Sequence, residues 1–149
     1  MKFISEAQSA ALITHELALE AVREALIAAR REGSHLFPAV IAHGSSPANT
    51  FSVKAGASAE LAGLKVGSYW PGNSEKGIPC HNSIILLFDQ DVGRIEAVIE
   101  AGRVNAYRTA AADALAVDLL ARPAARTLAV FGAGHQAEYE CRALARVRC

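Results

Sequence analysis

An α/β architecture is predicted by three features of the chain. Apolar residues recur at helical spacing near both ends, strand-like segments fill the stretch from Phe37 to Ile99, and a short apolar run at Thr127–Phe131 leads into a glycine turn that opens a further helix. Together they describe an α+β part over residues 1–125 and the first βα unit of a second domain over 126–149, with the boundary between Arg122 and Arg126.

The elements follow in order. Ser5-Glu-Ala-Gln8 fits a capping box, so a short helix is expected after Ser5. Thr14 is a second cap, and Leu17, Leu19, Ala21, Val22, Ala25, Leu26 and Ala29 keep helical spacing until Gly33 stops it. The opposite face, with Glu16, Glu20, Arg23, Glu24, Arg30 and Arg31, reads as solvated. Strands are expected at Pro38–Ala42, Thr50–Ala55, Ala62–Tyr69, Asn82–Phe88 and Arg94–Ile99, with a hairpin at Asp89–Gly93 and a long polar loop at Trp70–Pro79. Helical spacing returns over Ala101–Ala121, with a break expected at Thr109, until Arg122-Pro123 ends it.

Thr127 to Ala137 reads Thr-Leu-Ala-Val-Phe-Gly-Ala-Gly-His-Gln-Ala, a strand followed by a Gly-x-Gly-x-x-Ala turn and a helix. That is the start of a dinucleotide-binding domain: Gly132 permits the tight turn, Gly134 lets backbone approach a pyrophosphate, Ala137 keeps helix and strand close, and the helix N-terminus offers free N–H groups. The residue that chooses NAD over NADP lies about 20 positions beyond such a turn, past Cys149. The expectation is therefore an N-terminal fragment whose cofactor domain is mostly absent, with Tyr139, Leu144 and Val147 having only one sheet edge to cover them.

Fifteen basic and fifteen acidic residues cancel, which gives no footing for nucleic acid or an anionic membrane. The longest apolar stretches, such as Ser83–Phe88 and Ala114–Ala121, fall short of the roughly 20 residues that span a bilayer. The first residues hold no apolar run with a small-residue cleavage site, so a cytoplasmic location is expected. Cys80, Cys141 and Cys149 form no paired framework and read as reduced thiols. Cys80 and His81 are adjacent in a strand and point to opposite faces, so they are not a metal-holding pair.

Two cations stand out. Lys65 interrupts the apolar strand between Leu64 and Val66, so it either snorkels from an edge strand or points into a polar cleft. Lys54 poses the same question. Arg108 lies in a helical stretch nearly devoid of other charge, where its guanidinium either grips a carboxylate or pairs with Asp113 or Glu100.

Gly63-Leu-Lys-Val-Gly, Pro71-Gly-Asn, Leu86-Leu-Phe-Asp89, Gly93, Arg108-Thr-Ala-Ala-Ala, Leu120-Ala-Arg-Pro123 and Phe131-Gly-Ala-Gly-His-Gln-Ala137, in that order and spacing, resemble the ornithine cyclodeaminase and mu-crystallin family. The resemblance implies a substrate-binding and dimerisation domain followed by a Rossmann domain for NAD or NADP. It implies that Lys65 is catalytic and contacts the substrate carboxylate, and that Arg108 lies at the nicotinamide and substrate end. Asn82 stands where a cofactor-contacting polar residue is found, commonly threonine, and Gly132, Gly134, His135, Gln136 and Ala137 match the pyrophosphate turn. Where ornithine cyclodeaminases carry an arginine that helps hold the amino acid, the residue is Ala39, and the catalytic aspartate of that activity belongs to the missing half. The stretch around Lys65 is more similar to the imine-reductase branch. It implies an NAD(P)H-dependent reductase of a cyclic imino acid, Δ1-pyrroline-2-carboxylate or a ketimine, in proline metabolism. The alternatives are ornithine cyclodeaminase, which converts ornithine to proline and ammonia, and a non-catalytic mu-crystallin-like binding protein. The expected partners are a small imino or amino acid and a second copy of the chain, with no nucleic acid and no membrane.

Overall fold

A computed structural model describes Met1–Arg148; Cys149, read above as a reduced thiol, lies outside the described residues. The fold is α/β with a mixed sheet, and the chain divides into two compact units. Met1–Ala11 and Ala28–Gly102 form one; Leu12–Ile27 and the chain from Arg103 onward form the other.

The first unit is built on a seven-stranded sheet. Its strands are β1 (Lys2–Ile4), β2 (His35–Leu36), β3 (Val40–His43), β4 (Thr50–Ala57), β5 (Ala62–Tyr69), β6 (His81–Phe88) and β7 (Ile95–Glu100). Their order is β1-β7-β6-β5-β4-β2, with β3 also on β4. β1 runs parallel to β7 and the remaining pairs are antiparallel. The five expected strands form, with ends shifted by a residue or two. β1 and β2 were not foreseen, because two or three residues are too few to show a period.

The expected hairpin closes between β6 and β7, where Asp89 Oδ1 accepts from the N–H groups of Asp91 at 2.9 Å and Val92 at 3.3 Å. The Ser5 box also forms: Ser5 N–H donates to Gln8 Oε1 at 2.9 Å and Gln8 N–H to Ser5 Oγ at 3.4 Å, starting α1 (Glu6–Leu12). Two glutamates then cap the starts of α1 and α3 (Gly102–Leu120). Glu100 accepts from the Glu6 N–H at 2.7 Å, and Glu6 accepts from the N–H of Gly102, the first residue of α3, at 2.8 Å.

The second unit gathers α2 (His15–Ala28), α3 and α4 (His135–Val147). Thr14 caps α2 as expected, its Oγ1 accepting from Leu17 N–H at 3.1 Å. The break foreseen at Thr109 does not occur, because its hydroxyl donates to the Asn105 carbonyl one turn earlier, at 2.8 Å, and α3 runs through. Alanines make the core. Ala110 and Ala114 of α3 meet Ala143 of α4, and Leu19, Tyr139, Leu144 and Val147 pack around them.

Two expectations are corrected here. Thr127–Phe131 forms no strand, and Phe131 is 99% exposed. A strand needs a neighbour to pair its N–H and C=O groups, and this segment has no ladder partner among the described residues. The apolar face of α4 is nevertheless covered, because it packs on α3 rather than on a sheet edge. The charged face of α2 is exposed, as expected, and carries surface ion pairs: Glu16 pairs with Arg146 at 2.7 Å, and Arg23 lies 3.8 Å from Asp118. No helix among the described residues is long and apolar enough to cross a membrane.

These contacts make the helical unit sensitive to acid. His15 is buried, with its ring 4.6 Å from that of Tyr107. Burial pushes its imidazole below 6.5, Arg146 and Arg142 adding to the effect and Glu16 opposing it. The hydrogen bond from Arg146 holds Glu16 down to about 2. Glu140 is pushed up by burial and by Asp113, with the Gln136 hydrogen bond opposing. A base whose folded pKa is lowered binds fewer protons folded than unfolded, so stability falls as pH drops below 6.5 toward the folded value. Glu16 loses its contribution between 4.5 and about 2, while Glu140, favouring its neutral form, regains stability as pH falls through its raised pKa. Helix melting followed by circular dichroism against pH is expected to show two losses, with the Glu140 gain falling above 4.5, ahead of the second. His15→Gln should remove the first; an unchanged first loss would assign it to another group.

Candidate functional site

β5 lies between β4 and β6, so Lys65 is not on an edge and the snorkelling alternative is excluded. The register places it in a defined neighbourhood. Lys54, Lys65 and Ile85 are paired across β4, β5 and β6; the next row toward the Tyr69 end is Ser52, Gly67 and Ser83, and the row after that Thr50, Tyr69 and His81. Directly paired residues share a face and alternate residues return to it. One face of the sheet therefore carries both lysines, a line of hydroxyls and the Tyr69–His81 ring pair, whose centroids are 4.6 Å apart. Gly67 opens the middle of this floor. A β-carbon there would lie 3.8 Å from Lys65 Cε and 3.5 Å from Ser83 Oγ, so the lysine stem runs over the glycine toward that serine's row.

Asn82 is not brought together with Lys65. It pairs with Ser68, one residue out of phase with the lysine's face, and its Nδ2 donates to the Pro79 carbonyl at 3.4 Å. On that opposite face Val40, Phe51, Val66 and Ile84 are exposed apolar side chains. Cys80 donates its thiol to the Pro71 carbonyl at 3.6 Å, and the neighbouring His81 faces Tyr69, so the pair does not converge.

In the helical unit Arg108 is exposed on α3, and it makes no ion pair with Asp113 or Glu100 among the described residues. The local salt bridge is thus not formed. The glycine turn has the backbone its sequence calls for. Gly132 has φ of 100°, in the left-handed region glycine favours, and the extended Gly134 begins α4 with no side chain capping the first turn. Ala137 N–H closes onto the Gly134 carbonyl at 3.0 Å. Gln136 Nε2 donates to the Ala106 carbonyl at 3.1 Å and to Glu140 Oε1 at 2.7 Å, anchoring α4 on α3, while His135 is exposed with its ring 5.0 Å from that of Tyr139.

The sequence profile of the ornithine cyclodeaminase/mu-crystallin family matches residues 3–149. The chain belongs to that family. Iminosuccinate reductase of Paracoccus denitrificans is 38% identical over 152 residues, covering 99% of this chain and 47% of that protein. Its crystal structure with NAD+ matches with a TM-score of 0.87 at 35% identity, covering 99% of this chain and 47% of that one. Thermococcus litoralis Δ1-pyrroline-2-carboxylate reductase, solved with NADH and L-proline, matches at 0.92 and 27% identity over 99% of this chain and 46% of its own. An archaeal alanine dehydrogenase dimer with bound NAD matches at 0.90 and 27%, over 99% and 45%. The chain spans about half the length of these relatives.

The sequence reading singled out Lys65, Arg108 and the glycine turn. It missed the partnership of Lys54, Ser52 and Ser83 with Lys65. Alternation in Thr50-Phe-Ser-Val-Lys54 hinted at a polar face, but only the register shows which strand faces it.

Proposed function

We propose that this family member supplies the substrate-holding part, residues 1–125, and the start of the Rossmann part, 126–149, of an NAD(P)H-dependent imino acid reductase. Cyclic imino acids of the Δ1-pyrroline-2-carboxylate or ketimine type are one class of substrate it would take. The observation that carries the reading is the polar floor around Lys65 at the centre of an otherwise apolar sheet.

On this reading Lys65 binds the substrate carboxylate and so fixes the orientation of the C=N carbon, which itself lowers the barrier, and Arg108 is a cation for substrate or cofactor. The uncapped first turn of α4 behind Gly132 and Gly134 fits a pyrophosphate. When bound, reduced nicotinamide supplies the hydride for the imine carbon. The proton for the imine nitrogen comes from the Lys65 ammonium or a water it holds. The exposed apolar face carrying Val40, Phe51, Val66 and Ile84 supports a homodimer, since a contiguous apolar surface favours association. The proposed place of action is the cytoplasm.

The test joins this chain to the complete nucleotide-binding half of a relative and follows the near-ultraviolet absorbance of NADH and NADPH. Substrate-dependent loss of absorbance with an imino acid is the expected result. Ammonia release from ornithine without imine reduction would move the assignment to a cyclodeaminase; cofactor and ligand binding without either reaction would leave a binding protein.

A further inference from the structure

We propose that Lys54 is a second substrate cation, forming with Ser52, Ser83 and Lys65 a subsite over Gly67 for a second carboxylate, so that the preferred imino acid is a dicarboxylate. The inference rests on the reductase reading and names its substrate class.

Lys54 and Lys65 are direct cross-strand partners on one face. Such partners have Cβ atoms about 5 Å apart, and like charges in that arrangement destabilise a sheet. β4, β5 and β6 contain no aspartate or glutamate. β5 pairs along the whole of β4, whose other side is taken by β3 at Thr50–Val53 and β2 at Gly56–Ala57, with Lys54 between those two stretches.

The next row supplies the remaining donors. Ser52 and Ser83 stand on either side of Gly67, whose missing side chain leaves the floor between them open. A carboxylate lying there meets two hydroxyl donors and two ammonium groups. A dicarboxylate can be held there at two points, which fixes its orientation as well as its position. One relative that covers 99% of this chain is a reductase of iminosuccinate, an imine with two carboxylates.

The experiment uses the chain joined to a complete nucleotide-binding half and compares iminosuccinate, formed from oxaloacetate and ammonia, with Δ1-pyrroline-2-carboxylate. Loss of one charge-assisted contact corresponds to about 10- to 100-fold. Lys54→Met is therefore expected to lower kcat/KM for the dicarboxylate by that factor, chiefly through KM, and to cut the ratio of dicarboxylate to monocarboxylate kcat/KM by at least about tenfold. Lys54→Arg should restore most of the ratio. An unchanged ratio in Lys54→Met overturns the subsite. If the parent protein reduces neither imine, the reductase reading fails separately, and calorimetric titration with L-aspartate and succinate decides the subsite. About tenfold weaker binding in Lys54→Met upholds it; equal binding, or none to either protein, overturns it.

Discussion

Lys65→Ala, in the chain joined to a complete nucleotide-binding half, is expected to lower kcat/KM for an imino acid by about 100-fold or more. A charge-assisted hydrogen bond contributes about 1.5–3 kcal/mol, and misplacing a substrate by about 1 Å adds a further loss of up to 100-fold. Lys65 is half-buried on a central strand, and its stem runs over Gly67, where no side chain competes for the space. Truncation therefore removes a ligand contact without opening a large cavity, and circular dichroism should show an intact sheet. Arg108→Ala is expected to impair turnover as well, with its exposed position on α3 leaving stability near that of the parent. Both substitutions keeping parental kcat/KM in folded protein would make these cations structural and sink the site assignment.

The features legible in the sequence are those with a local physical cause. β4, β5 and β6 announce themselves because strands of eight residues show their composition and end at Gly, Pro or Asp. The Ser5 and Thr14 caps are local hydrogen bonds and were read correctly. The failures have non-local causes. Thr127–Phe131 has the composition of a strand, yet strand formation depends on a partner elsewhere in the chain, which the described residues do not supply. Thr109 could cap or bond backwards, and the continuous alanine packing of α3 on α4 favours the second.

The site divides along the same line. Lys65 was conspicuous as a charge inside an apolar strand, and its neighbours alone marked it. Lys54 gained meaning only from pairing, since a register shifted by one residue would send it to the other face. For Asn82 the register adds only its face: Lys65 pairs with Ile85, an odd number of residues away from it, so the two project from opposite faces. Gln136 belongs to the glycine turn by sequence, while its amide holds the Ala106 carbonyl across the helix pair.

Gly63→Ala is expected to be the most damaging small substitution in the sheet. A β-carbon on Gly63 would stand 2.5 Å from the Leu86 carbonyl oxygen and 3.0 Å from Leu87 Cδ2. The first of these is backbone in the neighbouring strand, paired with β5 and with β7, so it cannot swing aside as a side-chain tip could. Relief requires β5 and β6 to part locally, at a cost of about 2–3 kcal/mol, the upper range for overpacking. That corresponds to a fall of roughly 5–15 °C in melting temperature. Gly67 provides the control, four residues along the same strand and on the same face. A β-carbon there meets nothing closer than 3.5 Å, and Gly67→Ala removes a flexible residue from a strand interior, an effect worth about 0.5–1 kcal/mol in favour of folding. Urea unfolding of the two variants should therefore move the midpoint in opposite directions with the slope unchanged. Equal midpoints would show that β5 and β6 tolerate a side chain at Gly63 and that the close approach of these strands does not hold the sheet in register.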